Sequence, residues 1–169
     1  GYARASGIKF EMGLIRNHYV GRTFIKPSQK TRDFEARTKY NPVRGVLKGR
    51  RVVVVEDSIV RGTTLKHLSG MLKEAGATEV HIRVSSPPIL NPCYYGIDFQ
   101  TRDELIASHQ TIEQIREHLG VDSLGYLSLE GMLRAVPSDN GNDYCTACFS
   151  GNYPVSIEDE VSKLILEPT

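Results

Sequence analysis

Tryptophan is missing from these 169 residues, cysteine occurs three times, and no apolar run approaches the roughly 20 residues a membrane helix needs. A membrane-spanning chain is therefore not expected. Three cysteines cannot form a disulfide framework, and an odd count suits a reducing compartment or a metal site. Net charge is nearly absent as well, with 21 Lys+Arg against 20 Asp+Glu. No Gly-Lys-Ser/Thr follows a glycine-rich loop, which excludes a Walker A site, and the dinucleotide Gly-x-Gly-x-x-Gly is also missing. No signal peptide is visible, so a cytoplasmic protein is expected. The chain opens Gly1-Tyr2-Ala3-Arg4 rather than with Met, which leaves an organelle address upstream open.

What is present suits one ordinary folded unit: 40% hydrophobic and 24% charged residues, enough length to bury a core. The near-neutral total hides a split. Residues 1–51 carry 13 bases and three acids (Glu11, Asp33, Glu35), a charge of +10, and the remainder carries −9. A segment this basic gathers phosphate-type anions. Two readings compete, a solvated basic face docked on the acidic half and a phosphate-handling loop. The bases are spaced by Thr, Ser, Gln and Pro rather than interleaved with stacking aromatics, which argues against a nucleic-acid groove.

Along the chain, residues 1–6 read as the end of a helix stopped by Gly7. Residues 8–14 and 19–24 have short strand character. Residues 25–49 run polar and basic, without convincing periodicity, as lids and loops do. Val52-Val53-Val54-Val55 is an unbroken β-branched run, the pattern of a central parallel strand covered on both faces. An amphipathic helix follows, with Leu65, Leu68, Leu72 and Ala75 inward, Thr63 or Thr64 as cap and Gly76 as stop. Residues 80–84 alternate as a second strand, which completes a βαβ unit and sets the class as α/β. Beyond Pro87, Thr101-Arg102-Asp103-Glu104 reads as a capping box opening a short helix through Ala107. Thr111-Ile112-Glu113-Gln114 reads as another, with Ile112, Ile115 and Leu119 on one face. Residues 124–127 read as a strand, 129–136 as a helix and 138–142 as a turn-rich linker.

The chemistry concentrates in Glu56-Asp57-Ser58-Ile59-Val60-Arg61-Gly62-Thr63-Thr64. Open α/β sheets bind ligands at the carboxyl ends of their strands. Glu56 and Asp57 stand there, suited to a sugar diol or a hydrated Mg²⁺. The turn then enters a helix N-terminus, where backbone N–H groups and the Thr63 and Thr64 hydroxyls can wrap a phosphate that Gly62 allows to come close. Taken singly, the acids also read as a solvated loop pair and the threonines as plain caps. Their concurrence at one strand end is what a phosphorylated sugar requires.

This stretch resembles the phosphoribosylpyrophosphate (PRPP) signature of type I phosphoribosyltransferases, and its wording is similar to that of the amidophosphoribosyltransferase family. Asn17-His18-Tyr19-Val20-Gly21-Arg22-Thr23-Phe24-Ile25 resembles that family's flexible active-site loop. Ser86-Pro87-Pro88, Tyr95-Gly96-Ile97-Asp98 and Glu104-Leu105-Ile106-Ala107 match its later region. The resemblance implies a type I phosphoribosyltransferase-like parallel sheet with a C-terminal helical, cysteine-containing extension. It divides the chain into an incomplete transferase core, 1–92, with the loop at 17–41 and the PRPP motif at 52–64, and a helical cluster-binding region, 93–169.

The implied activity is the first step of purine synthesis, phosphoribosyl transfer from PRPP to glutamine-derived ammonia, giving phosphoribosylamine and pyrophosphate. The resemblance makes Glu56 and Asp57 the catalytic, Mg²⁺-binding and ribose-binding pair. The family's usual pair is Asp-Asp, and the extra methylene of Glu56 makes Asp57 the stronger metal ligand. Ser58, Ile59, Val60, Arg61, Gly62, Thr63 and Thr64 are implied to hold the 5′-phosphate. Tyr19, Arg22 and Lys26, with Lys30 and Arg32, are implied to engage pyrophosphate. It also implies purine-nucleotide feedback and a homo-oligomer, a tetramer by family. The glutaminase domain and a further metal-binding loop are expected upstream of Gly1. Two rival classes stay open: a non-catalytic PRPP- or nucleotide-binding regulator on the same fold, and a cysteine-based metal or redox module.

Cys145-Thr146-Ala147-Cys148 pairs two cysteines, with Cys93 far upstream. On residues alone, a redox dithiol, half a zinc site and free thiols compete, with free or zinc-bound cysteines ahead. His109 and His118 flank a helix and read as surface residues. The resemblance implies instead that Cys93, Cys145 and Cys148 are three ligands of a [4Fe–4S] cluster whose fourth cysteine lies upstream.

Overall fold

The computed structural model describes residues 1–17, 40–99, 101–137 and 144–156. The expected active-site loop, with Tyr19, Arg22, Lys26, Lys30 and Arg32, lies outside the described residues apart from its ends, and so does the 138–142 linker. The first helix is as expected: α1 (Tyr2–Ser6) stops at Gly7, whose φ of 72° is the left-handed stop. The strand expected over residues 8–14 is not there. Phe10 and Met12 stand in solvent, and β1 (Leu14–Arg16) begins where an antiparallel partner, β2 (Tyr40–Pro42), comes alongside it. The polar run 25–49 ends in structure, β2 and then α2 (Arg44–Leu47), a single turn too short to show a period.

The main sheet supports the α/β reading. β3 (Arg51–Glu56) leads through α3 (Thr63–Glu74) to β4 (Glu79–Val84), parallel to it with Val52 opposite Val80 and Glu56 opposite Val84. Past a 3₁₀ turn at Arg102–Glu104 come α4 (Ile106–His109), α5 (Ile112–Leu119) and β5 (Ser123–Tyr126). β5 lies parallel to β4, with Val84 opposite Tyr126. The helices α6 (Leu129–Ala135) and α7 (Ala147–Ser150) follow.

The strand order is β3–β4–β5, which corrects one expectation. Among the described residues β4, not the valine run, is central. Val52, Val53 and Val54 are half-buried and Val55 is 49% exposed, because β3 has one strand partner among the described residues. β4 alternates instead, burying Val80, Ile82 and Val84 on one face. The core lies on that face, where Leu65, Leu68 and Leu72 of α3 meet Ile115 and Leu119 of α5. Each such side chain contributes about 1.5–3 kcal/mol by leaving water. Ile112 is exposed, so α5 turns two of its three expected residues inward.

Local chemistry fixes the turns. Thr111 accepts the Gln114 amide, and Gln114 Oε1 accepts the Thr111 amide at 2.8 Å, a complete capping box. Asp122 accepts the Val80 amide at 2.8 Å, and that bond holds its carboxyl below the ordinary carboxylate range. The box expected at Thr101 does not form, because the Glu104 carboxylate pairs with Arg61 instead. A second apolar cluster, Ile89, Phe99 and Leu105, gathers Val60, Cys93, Cys148 and Phe149 around it.

Candidate active site

At the carboxyl end of β3 the chain turns from strand to helix in six residues. Glu56 is half-buried, and its Oε1 accepts the Asp57 amide at 3.1 Å. Burial pushes the Glu56 carboxyl above its ordinary value, and the neighbouring Asp57 charge pushes the same way. Asp57 is exposed and accepts the Ser58 hydroxyl at 3.0 Å. Ile59 is buried and anchors the turn. Val60 faces the second apolar cluster, while its carbonyl accepts the Ile106 amide at 2.8 Å.

The helix start differs from the expected one. Gly62, not a threonine, holds the cap position, with φ 75° and ψ −10° and no side-chain cap bond. Thr63 and Thr64 fall within the first turn and are exposed. The plain-capping reading of these threonines is thus corrected. A helix's first N–H groups have no intrahelical partner, and here they lie beside two exposed hydroxyls at the positive end of the dipole. A glycine is required at 62: the backbone is left-handed, and an added Cβ would lie 3.3 Å from Ile106 Cδ1 and 3.4 Å from Leu119 Cδ2.

The sequence-predicted residues 56–64 therefore share one strand end. Arg61 is the exception in direction, since its side chain turns away to Glu104 with Nη2–Oε1 at 2.5 Å. Sequence reasoning missed three residues of this neighbourhood. Ser85, just past β4, donates both N–H and Oγ to the Glu56 carbonyl. Tyr126 ends β5 with its hydroxyl buried and without a partner among the described residues, and burial pushes it up to about 12. His118 is no free surface residue, for it sits half-buried close to Gly62. Position at a strand end was the available signal for Ser85 and Tyr126. An open groove of about 570 Å³ lies elsewhere, between residues 8–14 and Val52–Val54 of β3, and has no share of Glu56 or Thr63.

The cysteines form a second neighbourhood. All three are free; Cys145 is exposed, Cys93 and Cys148 half-buried. The Cys148 carbonyl accepts the Leu90 and Asn91 amides, and Tyr153 donates to the Pro92 carbonyl at 2.7 Å, so residues 144–156 are tied onto the Cys93 loop. Burial pushes the Cys148 thiol up, and Cys93 and Cys145 push it further. No three His, Cys, Asp or Glu among the described residues are grouped to hold a single metal ion. Two hard carboxylates do suit Mg²⁺, which takes one or two protein carboxylates and fills its shell with water and substrate phosphate. Cys93 and Cys148 pack against the second apolar cluster while Cys145 is exposed, and three thiols have the softness of an iron–sulfur donor set, one short of four.

No protein-family model matches the chain. An amidophosphoribosyltransferase of Synechococcus elongatus is 53% identical over 169 residues, covering 99% of this chain and 34% of that protein. A chloroplastic amidophosphoribosyltransferase of Arabidopsis thaliana is 53% identical over 164 residues, 96% of this chain and 29% of that one. Among solved structures, a glutamine PRPP amidotransferase from Bacillus subtilis complexed with ADP and GMP superposes with a TM-score of 0.81 at 54% identity. That match covers 95% of this chain and 36% of the other. The chain thus spans about a third of the length of the curated relatives it matches. No helix among the described residues is long and apolar enough to cross a membrane.

Proposed function

We propose that the chain belongs to the amidophosphoribosyltransferase family and carries the PRPP-handling part of phosphoribosyl transfer to ammonia. The observation that carries this reading is the left-handed Gly62 opening α3 beside the Glu56–Asp57 pair. It joins an amide cradle for phosphate to an acid pair for hydroxyls and metal.

In the reaction the C1–O bond of PRPP breaks with its electron pair going to pyrophosphate. The ammonia lone pair forms the C1–N bond on the opposite face, and a proton is then lost. The amides and hydroxyls of residues 58–64 hold the 5′-phosphate and so fix C1 in place. Asp57, with Glu56 behind it, takes the ribose hydroxyls. A Mg²⁺ ion held by this pair supplies neutralisation of the leaving oxygens when bound. Tyr19, Arg22 and Lys26 engage pyrophosphate and exclude water, which would otherwise outcompete ammonia.

Cys93, Cys145 and Cys148 would supply three thiolates to a structural [4Fe–4S] cluster, which needs a fourth ligand besides them. The division into a transferase core, 1–92, and a cluster-binding region, 93–169, is part of the same reading. So are nucleotide feedback, drawn from the ADP and GMP of the Bacillus structure, a homotetramer, and an organelle address of the kind its chloroplastic plant relative carries. The test is the intact protein with PRPP, Mg²⁺ and ammonia. Phosphoribosylamine formation supports the enzyme. PRPP binding without turnover indicates a regulator, and thiol exchange without PRPP binding indicates a redox module. Brown colour and labile sulfide after anaerobic purification test the cluster separately.

A further inference from the structure

We propose that Glu104 is a positioning residue for the phosphate loop, acting through Arg61, whose side chain latches the loop rather than binding phosphate. The inference rests on the phosphate-loop reading above and deepens it. Segment 104–106 touches the loop at three consecutive loop residues. Ile106 donates its amide to the Val60 carbonyl at 2.8 Å, Arg61 meets Glu104 at 2.5 Å, and Gly62 lies against the Ile106 side chain.

The segment is itself held. Leu105 is fully buried in the second apolar cluster. Ser108 Oγ shares its one proton between the Arg102 carbonyl at 2.9 Å and that of Leu105 at 2.8 Å. Arg102 Nη2 donates to Asn91 Oδ1 at 3.1 Å. Glu104 therefore projects from a fixed frame, and its carboxylate is directed to Arg61 rather than to a cap at Thr101.

Charge makes the idea decidable. A guanidinium is a strong phosphate ligand when free, but paired with a carboxylate it offers an approaching phosphate little net charge. If Glu104 mattered through its charge alone, its removal would strengthen anion binding. A latch predicts the reverse: Arg61 comes loose, the turn before Gly62 loses one of its supports, and the amides no longer converge.

The experiment uses the intact protein with ammonia, Mg²⁺ and varied PRPP. Glu104→Gln is expected to raise the KM for PRPP about tenfold while kcat changes less than about twofold. Arg61→Gln should do the same, and the double variant should be no worse than either, since the pair acts as one unit. Glu104→Asp keeps the charge but shortens the reach, and should fall between wild type and Glu104→Gln. This variant decides the matter if the glutamine variant fails to fold, because a role through charge alone would leave its KM unchanged. Unchanged or tighter PRPP binding in Glu104→Gln, or additive losses in the double variant, overturns the latch and leaves the phosphate loop standing. A wild-type protein that neither binds nor turns over PRPP overturns both.

Discussion

Ser85 gives both its amide, at 2.8 Å, and its hydroxyl, at 3.0 Å, to a single atom, the main-chain oxygen of Glu56. The exit of β4 is thereby fastened to the last residue of β3. The acid pair is thus carried on the tip of the sheet, ahead of the turn that begins at Ser58. The two bonds fix the backbone from which both carboxylates project.

That position is unfavourable for the Glu56 charge. Burial, reinforced by Asp57, raises its carboxyl above the ordinary 4.5. With the folded value above the unfolded one, the ionised side chain opposes folding at neutral pH, and the penalty fades as pH falls through the folded value. Glu56→Gln is expected to raise the thermal midpoint at pH 7, with the gain shrinking toward pH 4.5, and to weaken Mg²⁺-dependent PRPP binding. Thermal melts across pH with a Mg²⁺ titration check both halves.

Asp57→Asn removes the exposed member of the pair without changing its shape. On the proposed function, the intact protein is expected to lose phosphoribosyl transfer by at least about a hundredfold while glutamine hydrolysis is spared, as for loss of a group acting on one chemical step. Measuring the two activities on one preparation checks it, and equal loss of both counts against the site.

Gly62→Ala tests the helix start. Placing a Cβ on a left-handed residue costs about 1–2 kcal/mol. Here the methyl also meets Ile106 at 3.3 Å and Leu119 at 3.4 Å. Urea unfolding should show at least that loss, and PRPP affinity should fall with it, because the same shift turns the first amides of α3.

Much of this was legible in the sequence, for physical reasons that also mark the limits. The βαβ unit could be read because α3 and β4 each bury one face at its own period, Leu65, Leu68 and Leu72 against Val80, Ile82 and Val84. The valine run misled because an unbroken apolar strand signals two covered faces without saying which strand lies where. β3 has one partner among the described residues. Residues 56–64 are contiguous, so their gathering at one strand end followed from chain order alone. Glu104 was legible as an acid three residues after a threonine, but its true partner, Arg61, lies 43 positions away. A local rule cannot see a tertiary competitor for the same carboxylate. The box at Thr111 had no such competitor, and it formed.

The cysteines differ in what their surroundings permit. Cys145 is exposed, whereas Cys148 is half-buried with its thiol pushed up by burial and by its two neighbours. Thiolate is the reactive form, so metal-free protein treated with iodoacetamide at pH 8 should be alkylated at Cys145 first and at Cys148 last. Peptide mapping of timed samples gives the order. Cluster-loaded protein should protect all three together.

His118 offers a test of the loop's surroundings by pH. It stands close to Gly62, with Cδ2 3.9 Å from the place of a Cβ there, and burial, with Lys66 adding to it, lowers its pKa from the ordinary 6.5. For a base whose folded value is depressed, protonation favours the unfolded chain. Stability is therefore whole above 6.5, declines as pH falls below it, and levels off once the folded value is passed. His118→Gln should remove that step from the urea midpoint measured between pH 8 and pH 5. Lys66→Met should shrink the step without abolishing it, because burial, the larger cause, remains.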